Sequence, residues 1–337
     1  MRGLLVVNPA ATTTTERVRD VLVSALSSDL SVETVVTKGR GHAAELGQRA
    51  VETGIDVVIS LGGDGTVNEV ANGLLYDGPK PGMPALGVVP GGSTNVFARA
   101  LGYSASPVEA TGELLAHLRE GRTRSVGLGH ARWADESRWF TFCAGSGMDA
   151  EVVGRVEQRR TGGKPNSAGL FLRSGIARYA SGFGHRPKVN VDVVHATTPD
   201  TDATGTEAEA VDEAAATAAG DRRQADRGYE AVIVCNTVPW TYLGSRPVRA
   251  CPEASFDTGL DLLAMRRVRL AGLVRLTTQM LSGDRGPHGG NVLLTHDLAT
   301  IRLTADPGAP FQMDGEYLGE PPEVELTAHP RALRVIG

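Results

Sequence analysis

Residues 60–70 read SLGGDGTVNEV: the end of an apolar run, a glycine turn holding one aspartate, then the start of a helical pattern. This order decides the fold, because it recurs. Short β-branched apolar runs end in turn residues at LLVVNP (4–9), VETVVT (32–37), DVVISLGG (56–63) and ALGVVPGG (85–92). Between the first two runs, Val18, Val21, Leu22 and Leu26 keep helical spacing. Between the last two, Val67, Val70, Ala71 and Leu74 do the same. Alternating strands and helices imply a parallel, doubly wound sheet. Ligands of such sheets bind beyond the carboxyl ends of the strands. Those ends read NPAAT, TKGRGH, GGDGTVNE and PGGSTN, all small, polar or glycine-rich.

Beyond about residue 128 the pattern changes. RWFTFCAG, KVNVDVV, YEAVIVCNT, GLDLLAM, TIRLTA and EVELTA are strand-like, and helical spacing is confined mainly to 148–180 and 269–282. We therefore expect an α/β domain over residues 1–127 and a mostly antiparallel β-rich domain over 128–322, with residues 323–337 returning to the first. Between Thr197 and Gly228 the composition falls to Asp, Glu, Ala, Thr, Gly and Arg without an aromatic. Such a stretch buries too little apolar area to offset its ordering entropy, so 197–228 is predicted to be a disordered hairpin insertion.

A chain of 337 residues has room for two domains. Its net charge of −5, with no block rich in Lys and Arg, argues against nucleic acid as a partner. Cys143, Cys235 and Cys251 lack CxxC spacing and read as reduced, buried residues. No apolar stretch approaches the roughly 20 residues of a membrane span. The apolar run at the N-terminus is too short for a signal peptide, so a cytoplasmic protein is expected.

The familiar nucleotide motifs are missing: there is neither GxxxxGK[ST] nor a GxGxxG after the first strand. In Gly62, Gly63, Asp64, Gly65 and Thr66, the glycines allow close backbone approach and the helix start favours an anion. Asp64 would repel a phosphate unless a divalent cation lies between them; it could equally be a helix cap. PGGSTN (90–95) offers Gly91 and Gly92 backbone N–H groups, the Ser93 and Thr94 hydroxyls, and Asn95 to begin a helix; a plain turn with a cap is the alternative. In FQMDGEYLGEPP, Asp314 and Glu316 would share one side of an extended segment. There one acid could take a proton while the other orients the nucleophile or binds metal. A turn through Gly315 with two solvated acids is the competing reading.

VNP, GGDGTVNEVANGL, PGGSTNVFARAL, GSGMDA and MDGE occur in this order and spacing over nearly the whole chain. In this the sequence resembles the diacylglycerol kinase catalytic family, which includes bacterial lipid kinases, sphingosine kinases and ceramide kinases. The resemblance implies a Rossmann-like domain, a β-sandwich domain and an ATP site in the cleft between them. It implies nucleotide contacts from Asn8, Pro9, Ala10, Ala11 and Thr12, from Thr37, from the turn Gly62 to Glu69 with Gly65, Thr66 and Asn68, and from Gly92, Ser93 and Asn95. Asp64 would lie near Mg²⁺-bound phosphates. Either Glu316 or Asp314 would be the base that deprotonates a lipid hydroxyl, with Glu316 favoured. Asp257 in SFDTGLDL partly matches a structural Mg²⁺ loop, but Thr258 stands where relatives carry a second Asp. Val96 stands where many bacterial members carry another Asp.

The implied activity is ATP-dependent phosphorylation of a lipid alcohol at a membrane surface, diacylglycerol or a related glycolipid first. A long-chain-base kinase, or a non-catalytic nucleotide- or lipid-binding regulator, stays open. A homodimer is compatible with this reading. Two basic and apolar stretches, 154–180 and 266–283, are the candidate sites of transient membrane contact.

Overall fold

The computed structural model describes residues 1–11, 16–160, 188–195, 222–224, 228–283 and 285–337. Four parallel strands open the chain: β1 (Arg2–Val7), β2 (Ser31–Val36), β3 (Val57–Gly62) and β4 (Ala85–Pro90), in the order β4-β3-β1-β2. β3 and β4 are buried throughout, because helices cover both faces. Those helices are α1 (Glu16–Asp29), α2 (His42–Glu52), α3 (Asp64–Leu74), α4 (Val96–Ala100) and α5 (Pro107–Glu120). α5 was not foreseen, although its ends are marked. The Ser106 side chain caps it, Pro107 opens it, and Gly121 closes it at φ 66°. α2 and α3 pack closely: a side chain on Gly47 would lie 2.7 Å from the Val70 carbonyl oxygen.

The remaining elements are mainly antiparallel. They comprise β5 (Thr123–Trp133), β6 (Glu136–Phe140), β7 (Cys143–Gly147), α6 (Met148–Arg160), β8 (Asn190–His195), β9 (Arg222–Gln224), β10 (Ala231–Cys235), β11 (Thr241–Leu243), β12 (Arg246–Val248) and β13 (Leu260–Met265). They end with α7 (Leu270–Ser282), β14 (Val292–Thr304), β15 (Phe311–Met313), β16 (Glu316–Tyr317) and β17 (Glu323–Ile336). β17 joins the two parts. It runs antiparallel to β14 and β5, then pairs in parallel with β4 at Val335 and Leu86. A register shift between His329 and Leu333, with Arg331 at φ 52°, bends the strand between these tasks. Ala332, Leu333, Val335 and Ile336 then enter the core of the first four strands.

Two expectations need correction, and one open choice, that of the turn through Gly315, is decided. RWFTFCAG is two strands, β6 and β7, broken at Thr141 and Phe142. Asp314 and Gly315 are not extended: with φ 47° and 80° they form the two-residue turn of the β15–β16 hairpin, a role for which Asp-Gly is suited. Within the stretch expected to be disordered, Arg222–Gln224 forms β9 and pairs with β8. The rest of that insertion up to residue 227 lies outside the described residues, as do 161–180 of the first basic stretch.

Candidate active site

The glycines of the two helix-opening turns are explained first by each other. Gly91 N–H donates to the Gly62 carbonyl at 2.8 Å. A side chain on Gly92 would meet the Gly63 Cα at 2.7 Å, and one on Gly62 would meet the Thr66 hydroxyl at 2.6 Å. The turns therefore touch backbone to backbone, with no room for a Cβ between them. Gly65 differs: it is exposed, with nothing near the position of a side chain. It is the glycine of this turn free for ligand approach.

Asp64 is the first residue of α3, and Gly63 occupies the cap position. Its carboxylate reaches the second turn, accepting from Phe97 N–H at 3.1 Å and the Thr94 hydroxyl at 3.2 Å. It is half-buried rather than exposed. Burial raises its pKa above the ordinary carboxylate value, the Val96 and Phe97 N–H groups oppose this, and the charge of Asp314 raises it further. Asn95, at φ 49°, clamps the second turn: its amide accepts from Gly92 N–H at 2.8 Å and donates to the Gly92 carbonyl at 2.7 Å. Ser93 remains exposed.

Asn8 sits beyond β1 and donates to the Thr66 hydroxyl at 2.8 Å, while accepting from Ala10 N–H. Pro9 and Ala10 are exposed, Ala11 is half-buried, and Thr12 lies outside the described residues. Thr37 ends β2 with its N–H on the Val7 carbonyl. Glu69 turns towards α2 and accepts from Ala43 N–H at 3.2 Å. Asn68 faces inwards, away from the open side of the turn, and is 1 % exposed.

Asn68 is where the two parts of the chain meet. It donates to Asp314 Oδ2 at 2.8 Å and to the Trp139 carbonyl at 2.9 Å. Its own oxygen accepts two hydrogen bonds from the Arg138 guanidinium. Asp314 is saturated. Oδ2 also accepts from Thr141 N–H and hydroxyl, and Oδ1 accepts from Phe142 and Cys143 N–H. Three successive N–H groups aimed at one carboxylate explain why β6 and β7 are interrupted there. The neighbouring acid has a different setting. Glu316 pairs with Arg138 at 2.9 Å and with Arg40 of the β2–α2 loop. Its side chain is held by ion pairs, whereas that of Asp314 is held by the fold.

The sequence reading did not single out Arg40, Arg138 or Thr141, and it passed over a buried pair beneath the hairpin. Gln312 donates to Asp149 Oδ2 at 2.8 Å and accepts from Gly315 N–H at 3.0 Å, bracing the Asp-Gly turn from below. Burial pushes the Asp149 carboxyl up to about 7. Asp149 was visible only as the acid of GSGMDA, and Gln312 only as a polar residue two before Asp314.

Asp257 is exposed, and among the described residues no three His, Cys, Asp or Glu side chains gather to hold a metal. Asp64, with one carboxylate beside two helix starts, fits a Mg²⁺ ion held largely by water and phosphate oxygens. Val96 is buried against Phe142, Cys143 and Tyr242, and Arg99 of the same helix lies 3.2 Å over the Tyr242 ring. The position where the resemblance led us to expect an acid is here part of an apolar contact between the two parts.

Residues 2–131 match the model of the diacylglycerol kinase catalytic domain. The chain is 25 % identical to the diacylglycerol kinase of Bacillus subtilis (strain 168), over 85 % of its own length and 79 % of that protein. It is 25 % identical to the diacylglycerol kinase of Staphylococcus carnosus (strain TM300), over 90 % and 84 %. By these matches the chain is similar to diacylglycerol kinases along most of its length, and the similarity to the catalytic-domain model is confined to residues 2–131. These similarities support a lipid kinase enzyme. The fold agrees: the crystal structure of a Bacillus anthracis str. Sterne diacylglycerol kinase matches 99 % of this chain and 96 % of its own, with TM-score 0.63 and 18 % identity. A second structure from that organism matches with TM-score 0.69 at 20 % identity, over 99 % and 97 %.

Proposed function

We propose that the protein transfers the γ-phosphoryl group of ATP to the free hydroxyl of diacylglycerol or a related glycolipid, giving a phosphatidic-acid-type product. One observation carries this reading: Asn68 holds the Asp314-Gly315-Glu316 hairpin against the helix that starts at Asp64. The acid suited to activating a hydroxyl and the turn suited to phosphates thereby face one cleft. We assign the nucleotide to the cleft between residues 1–127 and 128–322, along Asn8–Ala11, Thr37, Gly65 and Ser93.

Phosphoryl transfer asks chiefly for positioning and charge neutralisation. The start of α3 offers N–H groups to the phosphate side, whereas the Phe97 N–H at the second helix start is taken by Asp64. Mg²⁺, held by Asp64 together with phosphate oxygens, would neutralise phosphate charge. Glu316 accepts the proton of the lipid hydroxyl as that oxygen attacks. Arg138 and Arg40 orient Glu316. Asp314 sets the height of the hairpin and takes no proton, because its lone pairs are engaged by five donors. The acceptor reaches this cleft from a membrane surface, since diacylglycerol resides in bilayers.

The test uses purified protein, Mg²⁺, radiolabelled ATP and mixed micelles containing diacylglycerol, monoacylglycerol, sphingosine or a crude lipid extract. Label in diacylglycerol that is lost in Asp64→Ala and Glu316→Gln is the expected result. Label in sphingosine instead would move the assignment to a long-chain-base kinase. ATP binding without labelled lipid of any kind would overturn the reading.

A further inference from the structure

Among the described residues no helix is long and apolar enough to cross a membrane. An enzyme acting on a bilayer lipid then needs a docking face. We propose that the outer face of α7 is that face, and that its partner is an anionic bilayer. The inference rests on the reading of the acceptor as a membrane lipid.

α7 is divided lengthwise. Leu276 and Met280 are buried, each 4 % exposed, and with partly buried Leu273 they belong to the core cluster that includes Met148, Ile233, Leu263 and Met265. On the opposite side Leu270 is 42 % and Val274 60 % exposed, one helical turn apart, and Ala271 is exposed between them. The sequence 266–283 could equally have been all core, and the structure assigns only one side of the helix to the core. Leu270 and Val274 thus form an apolar ridge that nothing in this chain covers among the described residues.

The ridge is framed by one sign of charge. Arg267, Arg269 and Arg275 are exposed and make no ion pair among the described residues. Arg266 is turned inwards, over the Tyr229 ring. Residues 266–283 contain no acid, in a chain whose net charge is −5. Arginines around exposed aliphatic side chains complement the anionic headgroups and acyl boundary of a bilayer. The overall negative charge confines that attraction to this face. A protein partner of matching shape would be served by the ridge alone, whereas three unpaired arginines favour a continuous anionic surface.

The helix also stands near the cleft. Trp240 packs against the core under α7 and also against the cluster of Val96, Phe142, Cys143 and Tyr242 at the second turn. A bilayer seated on α7 would therefore adjoin the contact between the two parts.

The test is flotation of the full chain with vesicles of phosphatidylcholine, with and without phosphatidylglycerol. The wild type is compared with Leu270→Gln/Val274→Gln and with Arg267→Gln/Arg269→Gln/Arg275→Gln. All five positions are exposed, so both variants should fold; their melting curves check this. The wild type should float with the anionic vesicles only. The arginine variant should partition about a hundredfold less, given about 1 kcal/mol per arginine at an anionic surface, and the aliphatic variant at least about tenfold less, since it loses two apolar side chains from the contact. Equal flotation of wild type and variants would overturn the assignment to α7. So would sedimentation showing a dimer that Leu270→Gln/Val274→Gln dissociates, with no vesicle binding, since the ridge would then face a second copy. Phosphorylation of a water-soluble short-chain diacylglycerol, measured alongside, keeps the two readings apart. Activity on it without flotation removes the docking face and leaves the kinase reading standing. Flotation lost in the variants, without activity, supports the docking face while the substrate reading falls.

Discussion

Asn68 and Asp314 are 246 positions apart in the chain and 2.8 Å apart in the fold, the amide of one donating to the carboxylate of the other. This bond ties the helix that begins at the glycine turn to the hairpin that carries Glu316. Asn68→Asp would set a second carboxylate against Asp314 while keeping an oxygen for Arg138. We expect a loss of about 1.5–3 kcal/mol, the range for a hydrogen bond to a charged group, and a matching fall in melting temperature. Turnover should fall with it, as the hairpin loses its anchor; a variant with wild-type stability and turnover would show that the bond positions nothing.

The two acids of the hairpin should separate by readout. Asp314→Asn replaces an acceptor of five hydrogen bonds with a group that brings its own N–H donors, so it should destabilise by about 3–5 kcal/mol, as breaking a buried charged network does. Glu316→Gln should change stability by less than about 1 kcal/mol, yet lower kcat by about 10²–10⁴, the usual contribution of a general base. Its ATP affinity, measured by calorimetry, should hold. The reverse pattern would exchange the two roles.

Val96 is 1 % exposed and lies among Phe142, Cys143 and Tyr242. Val96→Asp would install the acid that the resemblance leads one to expect, but here it would bury a carboxylate close to Asp64 without a partner. We expect destabilisation of roughly 1–3 kcal/mol, read as a lower midpoint in urea, and no gain in turnover. An increase in turnover with unchanged stability would mean that the site opens to accept the acid.

Asp149 ties stability to pH. Its carboxyl rises from the ordinary 3.8 to about 7 in the fold, through burial. Between these values the folded chain keeps a proton that the unfolded chain releases. Stability from this group is therefore present at acid pH and is lost as pH rises towards 7. At about 1.4 kcal/mol per unit the loss has a ceiling of about 4 kcal/mol. Asp149→Asn cannot ionise, so its melting temperature relative to wild type should be higher near pH 8 than near pH 5. A difference that does not change with pH would place the titration elsewhere.

Gly92→Ala tests the contact between the turns. The added carbon would lie 2.7 Å from the Gly63 Cα, so one backbone must move. The expected penalty is about 1–3 kcal/mol, with weaker ATP binding because the turns part. Gly65→Ala, where the space is open, should spare stability and serves as the comparison.

The local patterns of this chain were readable because they depend on neighbours in sequence. Apolar runs ending at Asn8, Gly63 and Gly92, and helical spacing through Val67, Val70 and Leu74, reflect the periods of strand and helix and need no distant contact. Asp64, Asp314 and Glu316 stood out as acids beside glycines, a pattern that composition does not hide. What those acids do was not readable. An isolated Asp-Gly-Glu can be extended or turned, and the choice fell to the N–H groups of Thr141, Phe142 and Cys143, which hold the Asp314 carboxylate. The same bonds cut a predicted single strand into β6 and β7. Arg40 and Arg138 gave no signal, since a lone arginine has no periodicity and its partner Glu316 is remote in sequence. The glycines of both turns suggested a ligand, and the fold shows that most of them first make room for each other. Sequence determined the first four strands and the helix that starts at Asp64, through short-range sterics and periodic burial. Tertiary structure alone decided which acid is locked and which is held by ion pairs, because those partners come together only when β17 and the hairpin close the chain back on its beginning.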